Sequence, residues 1–118
     1  LLDAPCTGIG TLREHPEIKW RLKPSDPARM AAIQSRMLEN AAALVRRGGA
    51  IVYSVCSIAP EEGEGVVGAF LAKHHDFEID RSVAAGELKD VIDARGFMKT
   101  RPDVGGLDGF FAARLIRR

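Results

Sequence analysis

The chain has two cysteines, and each stands beside residues that can work with a thiol. Cys6 closes the run Asp3-Ala4-Pro5-Cys6 in "LLDAPCTGIG", and Cys56 precedes Ser57 in "YSVCSIAPEEGE". A thiolate is a strong nucleophile, a thiol can donate a proton, and a nearby carboxyl group can hold or pass one. Such a set could form a redox pair or a metal site. Zinc needs a third and fourth Cys or His ligand at short spacing. His15, His74 and His75 are present, but no Cys-x-x-Cys or His-x-x-x-His is, so no metal ligand is assigned. The missing Cys-x-x-Cys also speaks against a local dithiol oxidoreductase. Two inert cysteines in a core remain the plain alternative, because free Cys is commonly buried.

The elements that must position these groups can be read from the pattern. "LLDAPC" reads as the end of a buried parallel strand, apolar and then polar at its tip. Residues 7–27 are rich in Gly, Pro and charge and read as a long loop with room for a short helix. Asp26-Pro27 starts a helix, with a capping side chain and then proline at the first helical position. Met30, Ile33, Met37, Ala41 and Leu44 recur at helical spacing as its core face, and Gly48-Gly49 ends it. "AIVYSVCS" is a second buried strand. A second helix is expected from Pro60, burying Val66, Val67, Phe70 and Leu71. "FEIDRSV" is a third strand, residues 84–96 give no pattern, and "GFMKTRP" with "GFFAARLIRR" forms a closing hairpin. Alternating strands and helices predict an α/β domain: a mostly parallel sheet, helices on both faces, and one antiparallel strand from the hairpin. Ligands of such sheets sit at the strands' C-terminal ends. If the first two strands are neighbours, Asp3, Cys6 and Cys56 meet on one rim.

Length and composition fit one domain. The chain has 118 residues, 46% hydrophobic and 28% charged. No apolar run nears the roughly 20 residues that span a bilayer, so no membrane partner is expected. Two cysteines make no disulfide scaffold and read as reduced thiols of a cytoplasmic protein. The net charge of +1 gives no global field for nucleic acid. Arg13, His15, Lys19, Arg21 and Lys23 do cluster locally, diluted by Glu14 and Glu17. The cluster is either a solvated surface or a phosphate-contacting loop.

The residues then narrow the choice. "DAPCTGIG" at 3–10, "REHPEIKW" at 13–20, "YSVCSIAPEEGE" at 53–64 and "GLDGFFAARL" at 106–115 resemble, in order, the NOL/NOP/Sun family of RNA cytosine-5 methyltransferases. The resemblance implies the C-terminal half of a Rossmann-like methyltransferase sheet, with residues 1–118 a single partial domain. It implies S-adenosylmethionine as cofactor and RNA, ribosomal RNA in particular, as partner. By resemblance Cys56 is the nucleophile that adds to carbon 6 of cytosine, making carbon 5 reactive toward the methyl group. Cys6 assists elimination, and Asp3, protonated, hydrogen-bonds ring nitrogen 3. Asp3 and Pro5 border the cofactor, while Arg13, His15, Lys19 and Trp20 contact RNA whose target base has left its stack.

Val55 stands where the family has Thr, and Gly63 where it has Asn. The family's Gly-rich cofactor loop and acidic ribose contact precede the Asp-Ala-Pro-Cys run, and "TGIG" at 7–10 does not replace them. The expectation is therefore a fragment that alone neither binds cofactor tightly nor methylates, and that exposes a sheet edge open to self-association. A non-catalytic RNA-binding or assembly module of the same fold, and a thiol redox protein using Cys6 and Cys56, are the competing readings.

Overall fold

A computed structural model describes residues 1–85 and 87–118. Gly86, inside the segment 84–96 that gave no sequence pattern, lies outside the described residues. In chain order the elements are β1 (Leu2–Asp3), α1 (Ile18–Arg21), α2 (Asp26–Ala43), β2 (Ala50–Val55), α3 (Glu64–Lys73), β3 (Phe77–Ile79), β4 (Phe97–Lys99) and β5 (Phe111–Arg117). Short 3-10 turns cover Ile9–Thr11 and Arg81–Ala85.

One open sheet runs β1-β2-β5-β3, with β4 also paired to β5. β1 pairs β2 in parallel, placing Leu2 beside Tyr53 and Asp3 beside Ser54. β5 runs against β2, β3 and β4, so four strands share one direction and β5 alone is reversed. The expected mostly parallel sheet with one antiparallel strand is present, as is the β4–β5 hairpin. β5 lies inside the sheet, with β2 along one side and β3 and β4 sharing the other.

Alternation along β2 and β5 sets the core. Ile51, Tyr53 and Val55 are buried, and directly opposite them stand Leu115, Ala113 and Phe111, also buried. Period-two residues on paired strands share a face, and this face is covered. Leu38 and Ala42 of α2 and Val66, Val67 and Phe70 of α3 complete the same cluster. Helices on both faces were expected. Instead α2 and α3 pack on each other and on this one face, while Val52, Ser54, Ala112 and Ile116 on the other face stay half-buried.

Both long helices depart from their sequence-based outlines. α2 buries Gln34, Leu38 and Ala42, one residue away from the expected stripe, and Met30, Ile33, Met37 and Ala41 flank it half-buried. Gln34 leads the buried row because its amide has partners there, which hydropathy cannot register. α2 stops at Ala43, and Leu44, placed in the core by its spacing, is 88% exposed. Ser25 rather than Asp26 precedes the helix, and Asp26 accepts from the Lys23 amide and the Arg29 guanidinium. Those bonds, the Lys23 amide first, hold its carboxyl below the usual range. α3 starts at Glu64 instead of Pro60, because residues 60–63 fold into a turn that carries Glu62 into the core.

Candidate active site

β1 and β2 end side by side, and the chain turns immediately after each end. The Ala4 amide donates to the Ser54 carbonyl at 2.9 Å, extending the parallel ladder past Asp3. The two following loops bring Cys6 Sγ and Cys56 Sγ to 3.0 Å. Asp3 stays exposed at the strand tip, and its Oδ1 accepts from Ser54 Oγ at 3.0 Å. All three residues expected to do the chemistry are thus on one rim. Burial, and then the contact with Cys56, push the Cys6 thiol up to about 12. Cys6 therefore keeps its proton at neutral pH and can donate it to the neighbouring sulfur.

Two devices hold the loops in place. The first is a backbone crossing. The Gly10 amide donates to the Cys56 carbonyl at 3.2 Å, and the Gly109 amide donates to the Gly10 carbonyl at 2.7 Å. A Cβ on Gly10 would sit 1.8 Å from the Gly109 carbonyl oxygen, so only glycine fits. Of the two glycines of "TGIG", Gly10 serves this close approach, and Gly8 takes a left-handed φ of 75°. The second device is Glu62, fully buried, which accepts from Thr7, Ser57 and Gln34. The Tyr53 hydroxyl donates to the Glu62 carbonyl at 2.6 Å, fixing the same turn from the sheet side.

The remaining expected site residues scatter over the surface near this rim. Pro5 is exposed, and its carbonyl accepts from Gln34 Nε2 at 2.9 Å. Trp20 is 81% exposed with the Lys19 ammonium 4.8 Å from its ring centroid, so it belongs to the surface and not to the core. Arg13 donates to the Gly106 carbonyl, tying the basic loop to the β4–β5 connection. His15 lies exposed beside Glu17. A cavity of about 230 Å³ opens at Cys6, walled by Thr7, Ile18, Arg21, Arg29 and Met30. A larger cleft of about 550 Å³ lies past Ser57, between Ile58, Pro60, Lys99, Arg101 and Phe110.

Sequence reasoning missed Gln34, Ser57, Glu62 and Thr7 as parts of the site frame. Thr7, Ser57 and Glu62 lie within the quoted motifs, but the acidic pair directly after Pro60 reads equally as the first turn of a helix. Among the described residues no group of His, Cys, Asp and Glu has the arrangement to hold a metal, and no helix is long and apolar enough to cross a membrane.

Comparison with known proteins places this geometry. A family model described as 16S rRNA methyltransferase RsmB/F matches residues 1–116. The ribosomal RNA small subunit methyltransferase B of Thermus thermophilus is 52% identical over 122 residues, covering 99% of this chain and 28% of that protein. The probable counterpart from Bacillus subtilis is 38% identical over 120 residues, covering 100% of this chain and 27% of the relative. Among solved structures, that of PH0851 superposes with a TM-score of 0.88 at 38% identity, over 98% of this chain and 26% of that one. NSun6 from Pyrococcus horikoshii, solved with SFG, gives a TM-score of 0.79 at 28% identity, over 98% of this chain and 29% of the other. The chain spans about a quarter of the length of the curated relatives it matches.

Proposed function

The chain belongs to the RsmB/F family of 16S rRNA methyltransferases, and from that premise we propose that it carries the reactive thiols for methylating carbon 5 of a cytosine in ribosomal RNA. The observation that carries this reading is the 3.0 Å contact between Cys6 and Cys56, with Cys6 held protonated.

The cycle follows from that pair. The Cys56 thiolate adds to carbon 6, and carbon 5 gains electron density. S-adenosylmethionine, when bound, supplies the methyl group that carbon 5 takes. The carbon 5 proton then leaves to solvent as the bond between carbon 6 and the Cys56 sulfur breaks. Cys6 donates its S–H hydrogen bond to that departing sulfur, which favours its release as thiolate. Asp3, whose Oδ1 accepts from Ser54 Oγ, is the partner of ring nitrogen 3, where a proton shared between the two offsets charge as the thiolate adds.

The residues present fit one border of the cofactor and no more. Asp3 offers an exposed carboxyl at the tip of β1, and Pro5 an exposed ring beside it. No cradle for the nucleoside is among the described residues. The reading therefore gives residues 1–118 the reactive rim and one border of the cofactor. Trp20 and Lys19, exposed on the short helix whose Ile18 and Arg21 wall the Cys6 cavity, offer a stacking face and charge to RNA.

The test is digestion of ribosomal RNA to nucleosides after reaction with the full-length protein. The expected product is 5-methylcytidine, lost in Cys56→Ala and retained at a reduced rate in Asp3→Asn. Methylation at another atom, or full activity in Cys56→Ala, contradicts the reading.

A further inference from the structure

A hydroxyl residue follows each cysteine, Thr7 after Cys6 and Ser57 after Cys56, and both hydroxyls go to the same atom. Thr7 Oγ1 and Ser57 Oγ each donate to Glu62 Oε2 at 2.5 Å. The other oxygen, Oε1, accepts from the Thr7 amide at 2.9 Å and from Gln34 Nε2 at 3.0 Å. A carboxylate has about four acceptor sites, and these four donors occupy them. Glu62 is fully buried, and no cationic side chain pairs with it among the described residues. A buried charge without a counter-ion is costly unless its hydrogen bonds are all made. A neutral amide keeps the two Oε1 bonds, but its NH2 would face Thr7 and Ser57, whose hydroxyls would have to turn and accept, so the two hydroxyl-to-carboxyl bonds are lost. The arrangement thus places one group that accepts four hydrogen bonds at the point where the two cysteine loops meet α2.

We propose that Glu62 is a positioning residue for the methyl-transfer site: it clamps the loop after Cys6 to the loop after Cys56 and so fixes the two sulfurs at contact distance. What the sulfurs do rests on the function proposed above; the clamp itself does not. The Gln34 amide, which also donates to the Pro5 carbonyl, ties the clamp to the run that carries Asp3.

The experiment compares Glu62→Gln and Glu62→Asp with the unaltered full-length protein. A Thr7→Val, Ser57→Ala double variant, which removes only the two hydroxyl donors, covers the case in which Glu62→Gln does not fold. One readout is the equilibrium for closing a Cys6–Cys56 disulfide with oxidised glutathione. Each thiol gives up its hydrogen, and one oxidised glutathione becomes two reduced ones. That constant reports the effective concentration of one sulfur at the other, with no RNA or cofactor present. The second readout is methyl transfer, as kcat and KM separately. Glu62→Gln, or the double variant, is expected to lower the closure constant about tenfold or more. It should lower kcat by about a hundredfold while the KM for RNA holds. Glu62→Asp, which keeps the charge on a shorter arm, falls between. An unchanged closure constant in a variant that still melts cooperatively overturns the clamp, whatever the methylation result. A lowered constant in a protein that transfers no methyl group leaves the clamp standing and removes the function proposed for the sulfurs.

Discussion

Cys6 keeps a proton that an ordinary thiol would lose on mild alkalinisation, and this has a consequence for stability. Its folded-state value is about 12 against an ordinary 9.0, from burial first and then from Cys56. Between those values the unfolded chain releases the proton and the folded chain keeps it, so stability falls as pH rises; below 9.0 the contribution is fully present. Tyr53 is also held above its usual range, by burial and then by the Glu62 charge, and acts in the same direction at higher pH. The melting temperature should therefore drop as pH is raised from about 8 to about 11, and Cys6→Ala should flatten the first part of that drop. An identical profile in the variant contradicts the burial of this thiol. Single residues also differed in how far the sequence revealed them. The strand pattern was enough to bring Asp3, Cys6 and Cys56 to one rim, while the roles expected of them came from the family resemblance and not from spacing. Glu62 and Gln34 were not legible. A buried polar residue has no periodicity of its own, and its reason for burial is a set of partners distant in sequence, Thr7 and Pro5 among them.

Among the elements, β2 and β5 were read well, whereas the third strand, expected over residues 77–83, ends at Ile79 and gives way to a 3-10 turn at Arg81–Ala85. β2 and β5 alternate strictly because one face is covered and the other half-open, and period two survives in the sequence. In α2 the period was right and the phase wrong by one residue, since Gln34 occupies a position that hydropathy assigns to solvent. In α3 the start moved from Pro60 to Glu64, because the turn at residues 60–63 serves the Glu62 clamp. The loops make the sharper prediction. Gly10→Ala drives a Cβ into the Gly109 carbonyl, and backbone on both sides must separate. Thermal melts should show a loss of about 1–3 kcal/mol or more. Gly68 in α3 is the contrast, since a Cβ there would meet nothing within 4 Å. Gly68→Ala should stabilise by about 0.5–1 kcal/mol. Equal effects of the two substitutions contradict the loop crossing.

On the scale of the whole molecule, the sheet is covered on one face and begins at β1, a strand of two residues with no further neighbour among the described ones. An uncovered edge is a template for another strand. Residues 1–118 on their own should self-associate with rising concentration in sedimentation equilibrium, and a monomer at every concentration contradicts that expectation. The rim has a clear division of space. Asp3 and the two sulfurs lie at the β1–β2 end, the Cys6 cavity opens toward α1 and α2, and the larger cleft lies toward the β4–β5 hairpin. These spaces surround one reactive pair, and the proposed function depends on the roles of that pair.

The most direct measurement is a denaturing gel of the full-length protein incubated with its RNA and S-adenosylmethionine. A covalent RNA–protein band should accumulate in Cys6→Ala, where release is impaired, and vanish in Cys56→Ala, where no bond to carbon 6 can form. A band that persists in Cys56→Ala and disappears in Cys6→Ala would contradict the assignment and exchange the two roles.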